Sequence, residues 1–273
     1  MACASRTPSS MRRARLNAVL GGPEMSEQST AMTDDDEAPE PYPPTAERVA
    51  RRALVLAAVT CRGSIESDAE SEGFRRSVLT WFERTGLLEE AEAEERHLLA
   101  VPVGQLTHQR AVDASWRSEG LAVLAWALHC RDLARYDQQC EPEHVADSVG
   151  FMMDSPVVLN GPVLRSSDQL HRLAALMFSL HWRLRQFSLK ADSMDFERFA
   201  GEAWFGPLEV DGLLFAEKDL AIHGVPVVRS ARWRDVLSIA RERQQAANWL
   251  AGHDPIYSEV GTDTQLSSRP TMG

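Results

Sequence analysis

Apolar residues recur along most of this chain at helical spacing. After Pro43-Pro44, Val49, Ala53, Leu56, Ala57 and Val59 trace one side of a helix that Thr45 can cap. Gly63 is expected to end it. Phe74, Val78, Leu79 and Phe82 form the predicted buried stripe of a second helix over about 71–85, stopped by Gly86. A third, Glu-rich, runs from Leu88 to Leu99. The fourth, about His108 to His129, passes through LAVLAWAL at 121–128, eight consecutive apolar residues with no polar face. A helix apolar on all sides is a buried one, so this element is predicted to be the centre of the fold. A shorter helix follows Pro142 and continues through Met152.

Farther along, Ser166 with Gln169 makes a capping box, and Leu170, Leu173, Met177, Leu180 and Leu184 supply the core stripe of a long helix. The period changes over residues 208–228. There the turn dipeptides Asp211-Gly212 and His223-Gly224 separate short apolar pieces, which predicts a meander of two or three short strands. A last helix, about Arg232 to Leu250, closes on Gly252. The predicted fold is mainly α: a single helical domain over 45–264 around a central buried helix, with a small β-hairpin or meander insertion. Residues 1–44, first basic and Ser-rich and then acidic and Pro-rich, and residues 265–273 are expected to be disordered ends. Met1, Met25 and Met32 are candidate start residues.

Charge narrows the function classes. The net charge is −11, and about −9 of it remains on residues 45–264. A general nucleic-acid binder needs a basic surface, so no nucleic-acid partner is expected. The apolar runs are far shorter than the roughly 20 residues that cross a bilayer, so no membrane partner is expected either. Only Lys190 and Lys218 are lysine among the 29 basic residues, a skew that reads as genome composition rather than as a phosphate-binding signature. Cys3, Cys61, Cys130 and Cys140 lack both metal-ligand spacing and a disulfide framework, which points to free thiols in the cytoplasm.

The standard catalytic and nucleotide-binding motifs are absent, and no two of the eight histidines stand at i, i+4, so no metal or cofactor is assigned. One charge breaks the pattern. Arg243 has Val236, Ile239, Ala240, Ala246, Ala247 and Leu250 as its helical neighbours, which places it on the buried face. A buried guanidinium needs a carboxylate. Glu119, on the most buried helix, is the best candidate, whereas Arg117 has Asp113 as an ordinary i−4 partner. The pair is either a structural tie between helices or the edge of a polar pocket between the central and final helices. Trp116, Trp126, Trp182, Trp233 and Trp249 read as packing anchors, His181 as a satisfied core histidine, and Asn248 as a side chain able to bond a loop carbonyl.

Trp116-Arg117-Ser118-Glu119-Gly120 running into Leu124-Ala125-Trp126-Ala127-Leu128 resembles the core motif of the domain of unknown function 4272. Val163-Leu164-Arg165 leading to His181-Trp182, then Arg241-Glu242-Arg243 with Ala247-Asn248-Trp249-Leu250, and finally Thr262-Asp263-Thr264 match in the same order. The resemblance spans most of 46–264 and departs at 201–228. It implies a bacterial, soluble family with no established activity, and it carries over no catalytic residue.

Two functions follow as expectations. The first is a non-enzymatic cytoplasmic domain, adaptor-like or toxin-neutralising, whose acidic surface captures another protein. The second is an enzyme or small-ligand binder using Arg117, Glu119, His181, Glu242 and Arg243, which requires those groups to converge around an open cleft.

Overall fold

The computed structural model describes residues 42–263, so the expected disordered ends lie almost wholly outside it. Those residues form the helices α1 (Ala46–Ser64), α2 (Glu72–Arg84), α3 (Ala93–Ala100), α4 (His108–Ala127), α5 (Pro142–Val149), α6 (Ser167–Leu189), α7 (Phe196–Glu202) and α8 (Trp233–Leu250). A small antiparallel sheet, β1 (Phe215–Ala216), β2 (Asp219–Ile222) and β3 (Val225–Pro226), lies between α7 and α8 in the order β1-β2-β3. The mainly α fold with a short meander is as expected.

The centre is wider than one helix. From Leu121 to Ala125 α4 is sealed from solvent, as its apolar run requires. α1 is equally enclosed: from Val49 to Val59 only Arg51 is exposed. The two run against each other, and α4 and α6 both pack on α8. Gly63 does not end α1. It lies inside the last turn, where a Cβ would sit 2.6 Å from the Ala111 carbonyl oxygen and 2.7 Å from the Ser115 nitrogen. The residue is glycine because the α1 and α4 backbones touch there.

Local signals explain most boundaries. Thr45 caps α1, accepting from the Arg48 N–H at 3.3 Å, and Ser166 with Gln169 forms the capping box of α6. α3 starts at Ala93 rather than Leu88. The Glu92 and Glu95 side chains cap each other's backbone and restart the helix after a single 3₁₀ turn at Leu87–Glu89. α4 stops at Ala127 because His129 turns left-handed (φ 60°), its N–H and that of Cys130 closing on the Trp126 and Ala125 carbonyls, while Arg165 adds bonds from Nε to Trp126 O at 2.8 Å and from its amide to Ala127 O at 2.9 Å. α5 ends at Val149, before left-handed Gly150. Phe74, predicted as core, is 43% exposed, and Trp81 takes its place inside α2, with its indole N–H on the Met153 carbonyl at 2.7 Å.

α7 carries too few residues for a periodic signal, although the Asp195 side chain caps it. The β2–β3 turn is His223-Gly224, as predicted, with both residues at positive φ. The β1–β2 turn is formed by Glu217 and Lys218, also at positive φ, while Asp211-Gly212 lies upstream of the sheet. The sheet is held to α6 by Arg183, which clasps Asp219 through two hydrogen bonds of 2.7 and 2.6 Å with both side chains sealed.

Gly63→Ala forces the α1–α4 contact apart and is expected to cost about 2–3 kcal/mol. Gly73→Ala, at an exposed helical position where a Cβ meets nothing within 4 Å, is expected to add about 0.5–1 kcal/mol. Urea unfolding of both variants checks the pair, and losses of similar size in both contradict the assigned contact.

Candidate functional site

The residues singled out by their sequence pattern gather around α8, but on different sides of it. Consecutive helical residues point about 100° apart. Glu242, Arg243 and Gln244 therefore face three directions, and each meets a different partner.

Arg243 meets Glu119. Nε and Nη2 each lie 2.8 Å from Oε2, and neither side chain reaches solvent. The rest of the guanidinium is also used: Nη1 donates to the carbonyls of Ala134 and Arg135 at 2.8 and 3.2 Å, and Nη2 to that of Gln138 at 2.8 Å. The second oxygen of Glu119 accepts the Cys140 N–H at 2.8 Å. The pair thus ties α4 to α8 and anchors the 134–140 loop to both. With its donors and acceptors engaged, it leaves no group to act on a substrate.

Glu242 meets Arg117 at 3.0 Å, and Arg117 also donates to Gln245 Oε1 at 2.9 Å; Gln245 in turn donates to the Tyr257 carbonyl. Burial alone would lower the Arg117 pKa, but Glu242, Tyr257 and Glu95 together outweigh it and hold it above its ordinary value. Arg117 pairs across to α8 instead of with Asp113, whose carboxylate receives Gln109. His181, on α6, contacts Gln244 Oε1 through Nδ1. Burial holds its pKa below the ordinary histidine value. The five residues thus form three separate pairings, and none of them lines any of five surface clefts.

The same pattern recurs on α1. Arg52 reaches Glu90 and Glu95 at 2.9 Å and the Glu90 carbonyl. Arg62 holds the carbonyls of Val101 and Pro102 and pairs with Glu66. Both are sealed, as is Arg183. A charged residue among apolar helical neighbours was the available signal at Arg62, between Ala58, Val59 and Ile65. The 134–140 loop also carries Tyr136, whose hydroxyl meets the Leu214 and Ala221 carbonyls, and Asp137, which accepts the His223 N–H at 2.7 Å. Burial acts to raise the Asp137 carboxyl, but Arg135 and the His223 amide outweigh it and hold it below the usual range. Cys140, pushed up to about 12 by burial and by Glu119, is an inert thiol, and Cys61 rises to about 11 through burial. Cys61, Cys130 and Cys140 are free; Cys3 lies outside the described residues. Among the described residues no three metal-binding side chains converge, and no helix is long and apolar enough to cross a membrane.

A family model described as a domain of unknown function (DUF4272) matches residues 12–197. The chain belongs to the DUF4272 family. The match contains the Trp116–Glu119 motif and His181-Trp182, but it stops short of the sheet and α8. The DUF4272 span therefore supplies Glu119, and its partner Arg243 comes from beyond it. The later motifs at 241–250 and 262–264 also fall outside the matched span. Neither the curated proteins nor the solved structures give a match to the chain.

The surface clefts are lined by other residues. The groove between α1 and α5, about 620 Å³, has Ala57, Cys61, Ala146 and Phe151 on its apolar lining and Phe74 at its edge. Glu141, Glu143 and Asp147 stand along it, all exposed. Glu141 pairs with His144 at 2.6 Å, while among the described residues Glu143 and Asp147 meet no cation. Thr60 Oγ1, also in a residue lining the groove, is buried without a hydrogen-bond partner.

Arg243→Met leaves the Glu119 carboxylate buried alone and is expected to cost about 3–5 kcal/mol. Glu119→Leu with Arg243→Met, which leaves no unpaired charge, is expected to be less damaging than Arg243→Met alone. Urea unfolding decides, and a mild effect of the single variant contradicts the assigned role. His181 adds a pH dependence. Its folded pKa lies below the unfolded value of about 6.5, so its neutral form stabilises the fold above that value. This contribution is lost as pH falls from about 7 toward 5. His181→Gln is expected to flatten that slope, and an unchanged slope contradicts the assignment.

Proposed function

We propose that this DUF4272 protein is a cytoplasmic, non-enzymatic interaction domain that holds a basic amphipathic segment of another protein in the α1–α5 groove. The observation that carries this reading is the placement of two carboxylates. Glu143 and Asp147 stand at i, i+4 on α5, where like charges repel, and Asp147 lies in the last turn, where the helix dipole disfavours an anion. Helix stability alone selects against both features. A lysine or arginine seated between the two carboxylates relieves the repulsion, while the apolar lining and Phe74 take the neighbouring apolar side chains. This is the arrangement of a helix-in-groove site with an acidic edge. The net charge of −11 adds long-range attraction for such a segment and speeds its encounter. An adaptor or a toxin-neutralising factor would use such a surface.

The competing role, catalysis by Arg117, Glu119, His181, Glu242 and Arg243, needs those groups around one opening. Their separate pairings on three sides of α8 favour the structural role.

Selection from a library of displayed helical peptides tests the proposal. Enriched peptides are expected to carry net positive charge beside apolar residues one helical turn apart. Glu143→Lys with Asp147→Lys is expected to weaken the best of them at least tenfold, or by about 1.4 kcal/mol. Enrichment without basic residues, or equal binding to the doubly reversed variant, contradicts it.

A further inference from the structure

A second cleft, of about 570 Å³, lies between α6 and α8 on residues the peptide groove does not use. Its lining includes Gln244 and Asn248, one helical turn apart on the same face of α8 and both more than nine-tenths buried. Each amide is half used. Gln244 Oε1 is held by the His181 ring, and Asn248 Nδ2 donates to the Gly261 carbonyl at 3.0 Å. Among the described residues no group meets Gln244 Nε2 or Asn248 Oδ1, and both residues line the cleft. Two side chains one helical turn apart in the cleft lining thus keep a donor and an acceptor unmatched among the described residues, each with its amide fixed by a bond at the other end.

The surroundings define what those two atoms can take. Phe178 from α6 and Phe205 from the loop after α7 contribute aromatic side chains to the lining, and Glu209 and Asp263 contribute the carboxylates. Burial and the nearby His171 hold His253 below its ordinary pKa, so its ring is neutral at physiological pH. Apolar walls with a few convergent polar groups are the usual make-up of a small-molecule site, and buried amides left half-bonded favour a ligand that completes them.

We infer that this cleft binds a planar heteroaromatic ligand, uncharged or cationic, that carries a neighbouring acceptor and donor in the manner of a nucleobase or an aromatic carboxamide. The acceptor takes Gln244 Nε2, the donor meets Asn248 Oδ1, and the ring lies against Phe178 and Phe205. The two carboxylates disfavour an anionic counterpart of the same size.

Ligand-observed saturation-transfer titrations of the full chain with adenine, nicotinamide and benzoate test this. Adenine or nicotinamide is expected to bind saturably, and benzoate at least tenfold more weakly than the better of the two. Gln244→Glu keeps an acceptor for His181 and replaces the donor by an anionic oxygen that repels the ligand's acceptor. Phe178→Ala removes a wall at a half-buried position of α6 where alanine suits the helix. Each is expected to weaken the neutral probe at least tenfold, and the Phe178 variant carries the test alone if Gln244→Glu does not fold. Failure of both neutral probes to saturate, benzoate binding as well as they do, or affinity unchanged in the folded variants overturns the inference. Peptide binding in the α1–α5 groove is untouched by any of these outcomes.

Discussion

The buried contact between Glu119 and Arg243 is the tie on which the arrangement of the other parts depends. Removing either charge from water costs several kcal/mol, and an isolated pair rarely recovers that from mutual attraction. Here the recovery comes from completeness. The guanidinium donates to a carboxylate and to three loop carbonyls, and the carboxylate takes a backbone N–H with its second oxygen. The same contact therefore joins two helices distant in sequence and sets the path of the 134–140 loop. That loop carries Tyr136 and Asp137 to the sheet, so the sheet is positioned from the pair on one side and by Arg183–Asp219 on the other.

Arginine suits this role better than lysine. Its planar fork of five donors can bind a carboxylate and several carbonyls at once, where an ammonium offers a compact point charge. Arg52, Arg62, Arg183 and Arg243 all work in this way, each fastening a helix to a loop or a turn. The scarcity of lysine reads at first as a property of the genome, but these four positions have a use for arginine that lysine does not meet. The buried arginines accordingly form a framework.

How much of this could be read from the chain depends on the range of the signal. Periodicity and caps located the long helices, since Leu170, Leu173, Met177, Leu180 and Leu184 repeat often enough to define a face. The Glu119–Arg243 contact was legible because every helical neighbour of Arg243 is apolar. His181 could be placed in the core, but not its partner, because Gln244 shows no pattern of its own. Gly63 looked like a stop since its true constraint, the Ala111 carbonyl, is on another helix. Phe74 looked like core because its spacing fits the stripe, and only the packing of Trp81 shows that the place is taken. α7 and the Glu217-Lys218 turn are too short, or use the wrong residues, to announce themselves. The clefts are tertiary features and were not visible at all: Glu143 and Asp147 become informative only once the groove beside them is known.

The surface follows from this interior. With its buried charges paired, the domain leaves at its surface the α5 carboxylates Glu143 and Asp147, which meet no cation among the described residues, and the amides of Gln244 and Asn248 between α6 and α8. Both depend on the central tie holding its helices in place. Native-state hydrogen exchange at the Cys140 amide, whose acceptor is Glu119, probes that tie most directly. In the intact protein this amide should exchange only through global unfolding, with protection matching the stability measured by denaturant. Exchange as fast as in the exposed surface loops would contradict the account, because the loop would then open without breaking the contact said to hold it.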